Sequence, residues 1–163
     1  MSPKQPSVHR QLPWVGWREW VQLPDLHVDW VKAKIDSGAK TSSLHAFDLE
    51  YIDHSGRTFA RFTIHPRQRS HAHSCVCETE VLDFRLVRSS NGEQEQRPVI
   101  ATSIVLLGQT WPIELTLTNR DQMGFRMLLG RQAIRNRALI DSGRSYYSVV
   151  CPDADRSNKR SKR

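Results

Sequence analysis

The sequence has little of several features that would define a class of protein. No apolar run approaches the roughly 20 residues that a membrane-spanning helix needs, and the polar, proline-containing residues 1–13 lack the apolar segment of a signal peptide. The three cysteines are an odd number, and Cys75 and Cys77 are separated by one residue, so a disulfide framework is not expected. These absences predict a cytoplasmic protein with no membrane partner.

Two ligand-binding motifs are missing as well. The sequence contains no Gly-rich phosphate-binding loop and no His-Glu-x-x-His pair of a helical zinc protease. No cofactor is therefore expected, and any dependence on ATP would have to come from a partner protein.

The net charge of +7 is concentrated at the chain ends. Residues 151–163 hold five basic and two acidic residues, whereas 17 basic and 15 acidic residues remain in 14–150. This distribution predicts one domain at 14–150 between two disordered tails, 1–13 and 151–163, the second of them basic. It does not favour a nucleic-acid partner, because the domain itself has little excess charge.

Hydrophobic alternation predicts a mostly β domain. In residues 30–36, for example, Val31 and Ile35 alternate with lysines, and the strand ends at Asp36 where a turn containing Gly38 begins. The predicted strands are 16–23, 30–36, 51–53, 58–65, 77–88, 97–106 and 109–117, with turns at 54–57, 89–93 and 107–108. One short helix is predicted at 131–137, directly after Gly130.

Two motifs occur in order on this pattern. An apolar strand delivers Asp36-Ser37-Gly38-Ala39 into a turn, and a later apolar strand, Met127-Leu128-Leu129-Gly130, feeds the predicted helix. The pair resembles the retropepsin family of aspartic proteases. The resemblance implies a closed β-barrel in which Leu129 and Gly130 pack against the catalytic loop.

Longer strings extend the resemblance over about residues 15–150. AKIDSGAKTSSLHA at 33–46, RPVIATSIVLLG at 97–108 and ELTLTNRDQMGFRMLLGRQAI at 114–134 are similar to one bacterial retropepsin-like family. Its members have often been labelled ATP-dependent zinc proteases and are commonly encoded with RimK-type ATP-grasp ligases. The resemblance therefore implies a functional link to such a ligase.

The chemistry of an aspartic protease needs two carboxylates that share one proton around a water molecule. A chain of this length has room for one lobe and one such residue, Asp36, so the second must come from a symmetry mate in a homodimer. The expected function is an aspartic endopeptidase acting on peptides. Ser37 would brace the two loops against each other, and Gly38 would let the backbone turn beside the catalytic group. Ala39 completes the support of this catalytic loop.

Other readings of these aspartates stay open. Asp36 could be an ordinary turn residue that caps its own loop. Asp141-Ser142-Gly143 repeats the triplet, but it follows the predicted helix and precedes bulky residues, which does not favour a second catalytic lobe.

Aspartic proteases usually close a hairpin flap over the substrate. The turn at Ser90, Asn91 and Gly92 is one candidate for the flap tip, and the loop at 66–74 is the other.

A set of arginines could steer an acidic substrate towards the cleft. The candidates are Arg61, Arg67, Arg69, Arg126 and Arg131. Because the ligases associated with the family append glutamate, acidic peptides or glutamate tails are the implied substrates. The alternatives are a solvated basic face, or a non-catalytic module that binds acidic peptides or a ribosomal partner.

His71, His73, Cys75 and Cys77 are all zinc-ligand types. Their alternate spacing on an extended strand would place the first and last about 20 Å apart, which one ion cannot bridge. We therefore expect no metal, although a curled loop would permit a zinc-dependent hydrolase.

Overall fold

The computed structural model describes residues 11–67, 73–89, 91–119 and 124–148. Within them lie twelve strands and one α-helix, and Pro24–Leu26 forms a short 3-10 turn. The strands are Trp14–Gly16 (β1), Arg18–Leu23 (β2), Val28–Asp36 (β3), Ser42–His45 (β4), Phe47–His54 (β5), Arg57–Ile64 (β6), Cys75–Glu80 (β7), Asp83–Arg88 (β8), Gln94–Leu106 (β9), Gln109–Thr118 (β10), Met127–Gly130 (β11) and Leu139–Asp141 (β12). The helix α1 is Arg131–Ile134.

The main sheet closes on itself, as the resemblance to a barrel protease implies. Its strand order is β10-β4-β11-β3-β2-β9-β8, and β9 also pairs with β10. The ring closes at the last part of β9. One edge of this part pairs with β10, and the other edge pairs with β2 at Val105. The first part of β9 extends beyond the ring and forms a hairpin with β8. A mostly β fold with one short helix towards the C-terminus is confirmed.

The interior of this barrel is filled by one face of each strand. Along β3, Val31 and Ala33 are fully buried and Ile35 nearly so, whereas Lys32 and Lys34 point to the other face. Side chains from β9, β10 and β11 meet them, among them Ile100, Leu115 and Leu129. The period of two in the sequence therefore sets the register of β3 and places Asp36 at its end.

The strand β11 lies between the two strands that flank the Asp36 loop. It runs parallel to β3, with Gly130 opposite Asp36, and antiparallel to β4, with Leu128 opposite Ser43. The loop 37–41 therefore crosses over the end of β11. This topology brings the two sequence motifs into contact.

The sequence prediction of one strand over 77–88 is wrong, because the chain changes sheets at Val81 and Leu82. The Val81 N–H donates to the Thr58 carbonyl oxygen, and the Leu82 N–H donates to the Val99 carbonyl oxygen. β7 therefore completes a three-stranded sheet with β5 and β6, while β8 joins the main sheet. Because Val81 and Leu82 are both apolar, the sequence at this change of sheet resembles the interior of a single strand.

Other predicted boundaries shift in the same way. The turn predicted at 54–57 narrows to Ser55 and Gly56, both with positive φ, because His54 and Arg57 pair as strand residues. The predicted strand 16–23 divides into β1 and β2, and the predicted helix 131–137 shortens to the four residues of α1. The short strands β4 and β12 were not predicted.

The predicted tails fall outside the described residues except for 11–13 at the start. No helix in the described part of the chain is long and apolar enough to cross a membrane.

Candidate active site

Asp36 lies half-buried at the end of β3, where the chain enters the loop 37–41. Its Oδ1 accepts hydrogen bonds from the backbone N–H groups of Gly38 at 3.0 Å and Ala39 at 3.2 Å. Its Oδ2 has no hydrogen-bond partner among the described residues. One oxygen therefore shapes the loop, as in a turn aspartate, and the other is available to a ligand.

The loop is held from below by the start of α1. The Arg131 N–H donates to the Ala39 carbonyl oxygen at 2.9 Å, and the Gln132 N–H donates to the Lys40 carbonyl oxygen at 3.2 Å. The Arg131 guanidinium adds a bond from Nη1 to the Gly38 carbonyl oxygen at 3.2 Å. The backbone around Asp36 is thus fixed by three donors from one short helix.

Gly130 permits this close contact. Its N–H donates to the Ser42 Oγ at 3.0 Å, and a Cβ at this position would lie 2.5 Å from the Thr41 carbonyl oxygen. The neighbouring Leu129 is fully buried and pairs with Ile35. Leu129 and Gly130 therefore lie directly beneath the loop that contains Asp36.

A cleft of about 870 Å³ opens beside Asp36. One wall is the loop and its supporting strands, and the other is the β8–β9 hairpin together with β10. The lining residues are Asp36, Gly38, Ala39, Lys40, Thr41, Ser43, Arg85, Leu86, Val87, Arg88, Ser89, Arg97, Glu114, Thr116, Leu128 and Gln132. The volume is that of a ligand-sized site.

The lining carries more positive than negative charge. Besides Asp36, its only carboxylate among the described residues is Glu114, which is paired with Arg85 at 2.7 Å. Lys40, Arg88 and Arg97 add three further cations to the same surface. The electrostatics of the cleft therefore suit an anionic ligand.

The β8–β9 hairpin reaches the cleft through Arg85–Ser89. At its tip, Gly92 has φ 84° and its N–H donates to the Ser89 carbonyl oxygen at 3.0 Å. Asn91 and Gly92 are exposed there, and Ser90 lies outside the described residues. The rival loop at 66–74 is described only at its ends, and its Pro66 and Arg67 line a different pocket with Trp20 and Lys32.

The four described arginines that were predicted to steer substrate do not line the cleft. Arg61 is exposed on β6 opposite Glu78, and Arg67 lies over the Trp20 ring at 5.6 Å. Arg126 lies over the Phe47 ring at 5.2 Å, and Arg131 supports the loop as described above. Arg69 lies outside the described residues.

The arginines that do line the cleft were missed. A signal for them was present, because a hairpin centred on Asn91 places Arg85 directly opposite Arg97. The Asn-Gly turn could have given that register from the sequence alone.

The second Asp-Ser-Gly triplet has the same local geometry in a different place. The Gly143 N–H donates to Asp141 Oδ1 at 2.9 Å, much as in the Asp36 loop. The other oxygen of Asp141 accepts a hydrogen bond from the Tyr147 hydroxyl at 2.5 Å. These two bonds lower the pKa of Asp141, which does not line the cleft.

Cys75 and Cys77 both direct their Sγ atoms at one backbone group. The Leu26 carbonyl oxygen lies 3.8 Å from Cys75 Sγ and 3.3 Å from Cys77 Sγ. Burial raises the pKa of both thiols, that of Cys77 to about 12. His71 is not described, and the described residues hold no group of three His, Cys, Asp or Glu side chains suited to a metal.

Comparison with known proteins identifies the family. Residues 14–150 match the family described as retropepsin-like aspartic endopeptidase RimB. The chain belongs to this RimB-like family.

Curated relatives of this RimB-like chain carry a different name. Proteins named "Probable alpha-L-glutamate ligase" from Shewanella pealeana and Desulfotalea psychrophila are 48% identical over 132 residues and 43% identical over 127 residues. The matches cover 81% and 78% of this chain but only 29% and 27% of those proteins. The chain thus spans less than a third of the length of these relatives.

A solved structure shares the fold. A Legionella pneumophila protein of unknown function superimposes with a TM-score of 0.68 and is 28% identical. The match covers 84% of this chain and 98% of the other.

Proposed function

We propose that this RimB-like chain is an aspartic endopeptidase that works as a homodimer and cleaves acidic peptides or glutamate tails. The observation that carries the proposal is the position of Asp36, with one carboxylate oxygen unpartnered among the described residues, beside a cleft lined by Lys40, Arg88 and Arg97. A carboxylate supplies the general base, and the cations supply the attraction for an acidic substrate.

The second carboxylate would come from a second copy of the chain. Ser37, Gly38 and Lys40 are exposed beside Asp36, so a symmetry mate can approach the loop. Nearby, Ile140 shares a depression of about 520 Å³ with Lys40 and Ile134. Ile140 and its neighbour Leu139 are 37% and 43% exposed, and this apolar surface next to the loop supports a two-fold contact there.

The reaction then needs no covalent intermediate. The ionised carboxylate of the pair takes a proton from water as the water oxygen attacks the scissile carbonyl carbon, while the protonated carboxylate gives its proton to the carbonyl oxygen. A proton returned to the amide nitrogen lets the C–N bond break. The Arg131 and Gln132 bonds to the loop backbone would keep the Asp36 carboxylate in place during these transfers.

The relatives support the choice of substrate. They are named as glutamate ligases, and a region like this chain accounts for under a third of each. A hydrolase domain carried within a ligase polypeptide would act on what the ligase makes, which links this chain to a RimK-type ligase and to glutamate-rich peptides.

The test compares wild type with Asp36→Asn on acidic and glutamate-tailed peptides across pH. We expect wild type to cleave and Asp36→Asn to be slower by at least about 100-fold, because the general base is lost. Asp141→Asn is the matched control, since it changes the same triplet outside the cleft and should retain activity. Equal cleavage by wild type and Asp36→Asn would contradict the proposal, and tight binding without turnover by wild type would favour a binding module.

A further inference from the structure

Arg97 is the most deeply buried charged residue of the cleft lining. It is only 3% exposed, although it lies near the start of β9 in a hairpin that extends beyond the barrel. Burial of a guanidinium is costly unless its donors are paired. The way in which Arg97 is paired therefore indicates what the site can bind.

Only some of the N–H groups of the Arg97 guanidinium form hydrogen bonds. Its Nε donates to Glu95 Oε2 at 3.0 Å, which fixes the orientation of the guanidinium. Its Nη2 is buried and has no hydrogen-bond partner among the described residues. An unmet donor on a buried charged group is destabilising, so this nitrogen is suited to an acceptor that the described residues do not provide.

The neighbouring arginine differs in this respect. Arg85, opposite Arg97 in the hairpin, donates from Nη2 to Glu114 at 2.7 Å and has Asp83 at 3.9 Å. Its charge is already matched by carboxylates of the same chain. Arg97 pairs with one carboxylate, that of Glu95, whereas its Nη2 donor has no carboxylate partner among the described residues.

We propose that Arg97 is a specificity-determining residue of the cleft, and that its Nη2 binds a carboxylate of the substrate. This inference rests on the proposed function for its substrate, and it adds the residue that recognises the negative charge. Planar carboxylates match the guanidinium fork, and a hydrogen bond between two charged groups is about twice as strong as a neutral one. Because Nη2 is covered by its neighbours in this conformation, the proposal requires that the binding carboxylate displace them.

The experiment measures binding in the Asp36→Asn protein, so that it does not depend on turnover. Titration calorimetry compares Asp36→Asn with Asp36→Asn/Arg97→Gln on three peptides of one sequence: a Glu peptide with an amidated C-terminus, its Gln counterpart, and the Gln peptide with a free C-terminus. We expect Arg97→Gln to raise the Kd of a carboxylate-bearing peptide at least about tenfold and to leave the amidated Gln peptide unchanged. If Arg97→Gln weakens binding of the Glu peptide alone, Arg97 binds a side-chain carboxylate. If it weakens binding of the Gln peptide with a free C-terminus alone, Arg97 binds the C-terminal carboxylate.

A second substitution, which removes a charge elsewhere in the cleft lining, distinguishes a specific contact of Arg97 from a general electrostatic attraction. Arg88→Gln, also in the Asp36→Asn background, removes the same charge from the cleft lining without touching the buried fork. We expect a smaller rise in Kd that fades as salt is added. An equal effect from Arg88→Gln and Arg97→Gln would overturn the proposal, as would unchanged affinity in folded Arg97→Gln or no carboxylate-dependent binding by the parent.

A second measurement does not require an Arg97 variant to fold. In ¹⁵N-labelled Asp36→Asn protein, the Arg97 side-chain N–H signal should shift with a carboxylate-bearing peptide and not with the amidated Gln peptide. No shift would overturn the proposal. If wild type binds peptides through Arg97 but never cleaves them, the endopeptidase assignment fails while the carboxylate site stands.

Discussion

Gly130 lies opposite Asp36 in the parallel pairing of β11 with β3, and the loop that follows Asp36 passes directly over Gly130. A Cβ on Gly130 would lie 2.5 Å from the Thr41 carbonyl oxygen and 3.1 Å from the Ala39 carbonyl oxygen. The proposed catalytic loop therefore depends on a residue with no side chain in the other motif. This contact explains in physical terms why the two motifs occur together.

Replacing Gly130 by alanine should displace the loop. The new methyl group meets backbone oxygens that cannot rotate away, so we expect a loss of about 1–3 kcal/mol in the free energy of unfolding. Cleavage should fall more than stability alone explains, because the Asp36 carboxylate moves with its loop. Chemical denaturation and peptide cleavage measure the two effects, and Gly143→Ala is a control, because a Cβ there would meet only Asp141 Oδ1 at 3.4 Å, an ordinary contact distance. Full activity in Gly130→Ala would contradict this account of the loop.

Glu19 should be a major source of stability although it lies outside the cleft. It is fully buried and accepts backbone N–H bonds from Gly16, Tyr147 and Ser148 at 2.7, 2.8 and 3.0 Å, and a bond from the Ser148 hydroxyl at 2.6 Å. Glu19→Gln replaces an acceptor oxygen by a donor against these N–H groups. We expect a loss of about 1.5–3 kcal/mol, measured by urea unfolding.

The control for that prediction is Glu80→Gln. Glu80 pairs with Arg57 at the protein surface, where solvent screens an ion pair and its contribution to stability is small. If both substitutions cost the same, Glu19 is not the anchor between β1, β2 and residues 147–148 that its contacts indicate.

Cys77 should resist alkylation in the folded protein. Burial is the main cause that raises its pKa to about 12, so at pH 8 its thiolate is roughly a thousandfold scarcer than that of an ordinary thiol. Iodoacetamide should label Cys77 only after unfolding, as mass spectrometry of the peptide that contains it can show. Rapid labelling of the native protein would mean that the thiol is accessible and ionised, and would revive the zinc interpretation of this segment.

The sequence predicts the position of Asp36 at a strand end better than it predicts the strands around it. Alternation fixed β3 and the position of Asp36, since apolar residues of one face had to enter the core. The break between β7 and β8 could not be seen, because Val81 and Leu82 leave one sheet for another without a turn residue. The sequence does not predict β4, because Ser42 and Ser43 form a strand through pairing with β10 on one side and β11 on the other, and not through their own strand propensity.

The sequence also does not predict which charged residues line the cleft. Arg97 looks like a surface residue in sequence, and only the pairing of the hairpin with the barrel reveals that it is buried. Of the arginines chosen from the sequence, Arg67 and Arg126 instead lie over the rings of Trp20 and Phe47, and Arg131 binds the loop backbone. Burial of a charge is a tertiary property that local patterns do not contain.

Asp141 gives a prediction with a defined pH dependence. The Tyr147 hydroxyl is the main cause of its lowered pKa, followed by the Gly143 N–H. A lowered pKa in the folded state means that the contribution to stability is present above the unfolded value of 3.8 and is lost as pH falls through the folded value. Tyr147→Phe should move the pKa of Asp141 back up, as carboxyl NMR titration can measure. An unchanged titration would show that Tyr147 does not hold this carboxylate.

The central claim, that two copies of Asp36 form one active site, is tested most directly by mixing subunits. Wild type and Asp36→Asn are combined in equal amounts at constant total concentration, allowed to exchange, and assayed on a glutamate-tailed peptide. Random pairing leaves roughly one quarter of the dimers with two aspartates, so the account predicts about a quarter of the wild-type rate. A rate near one half would show that each chain acts alone, and would contradict a shared dyad.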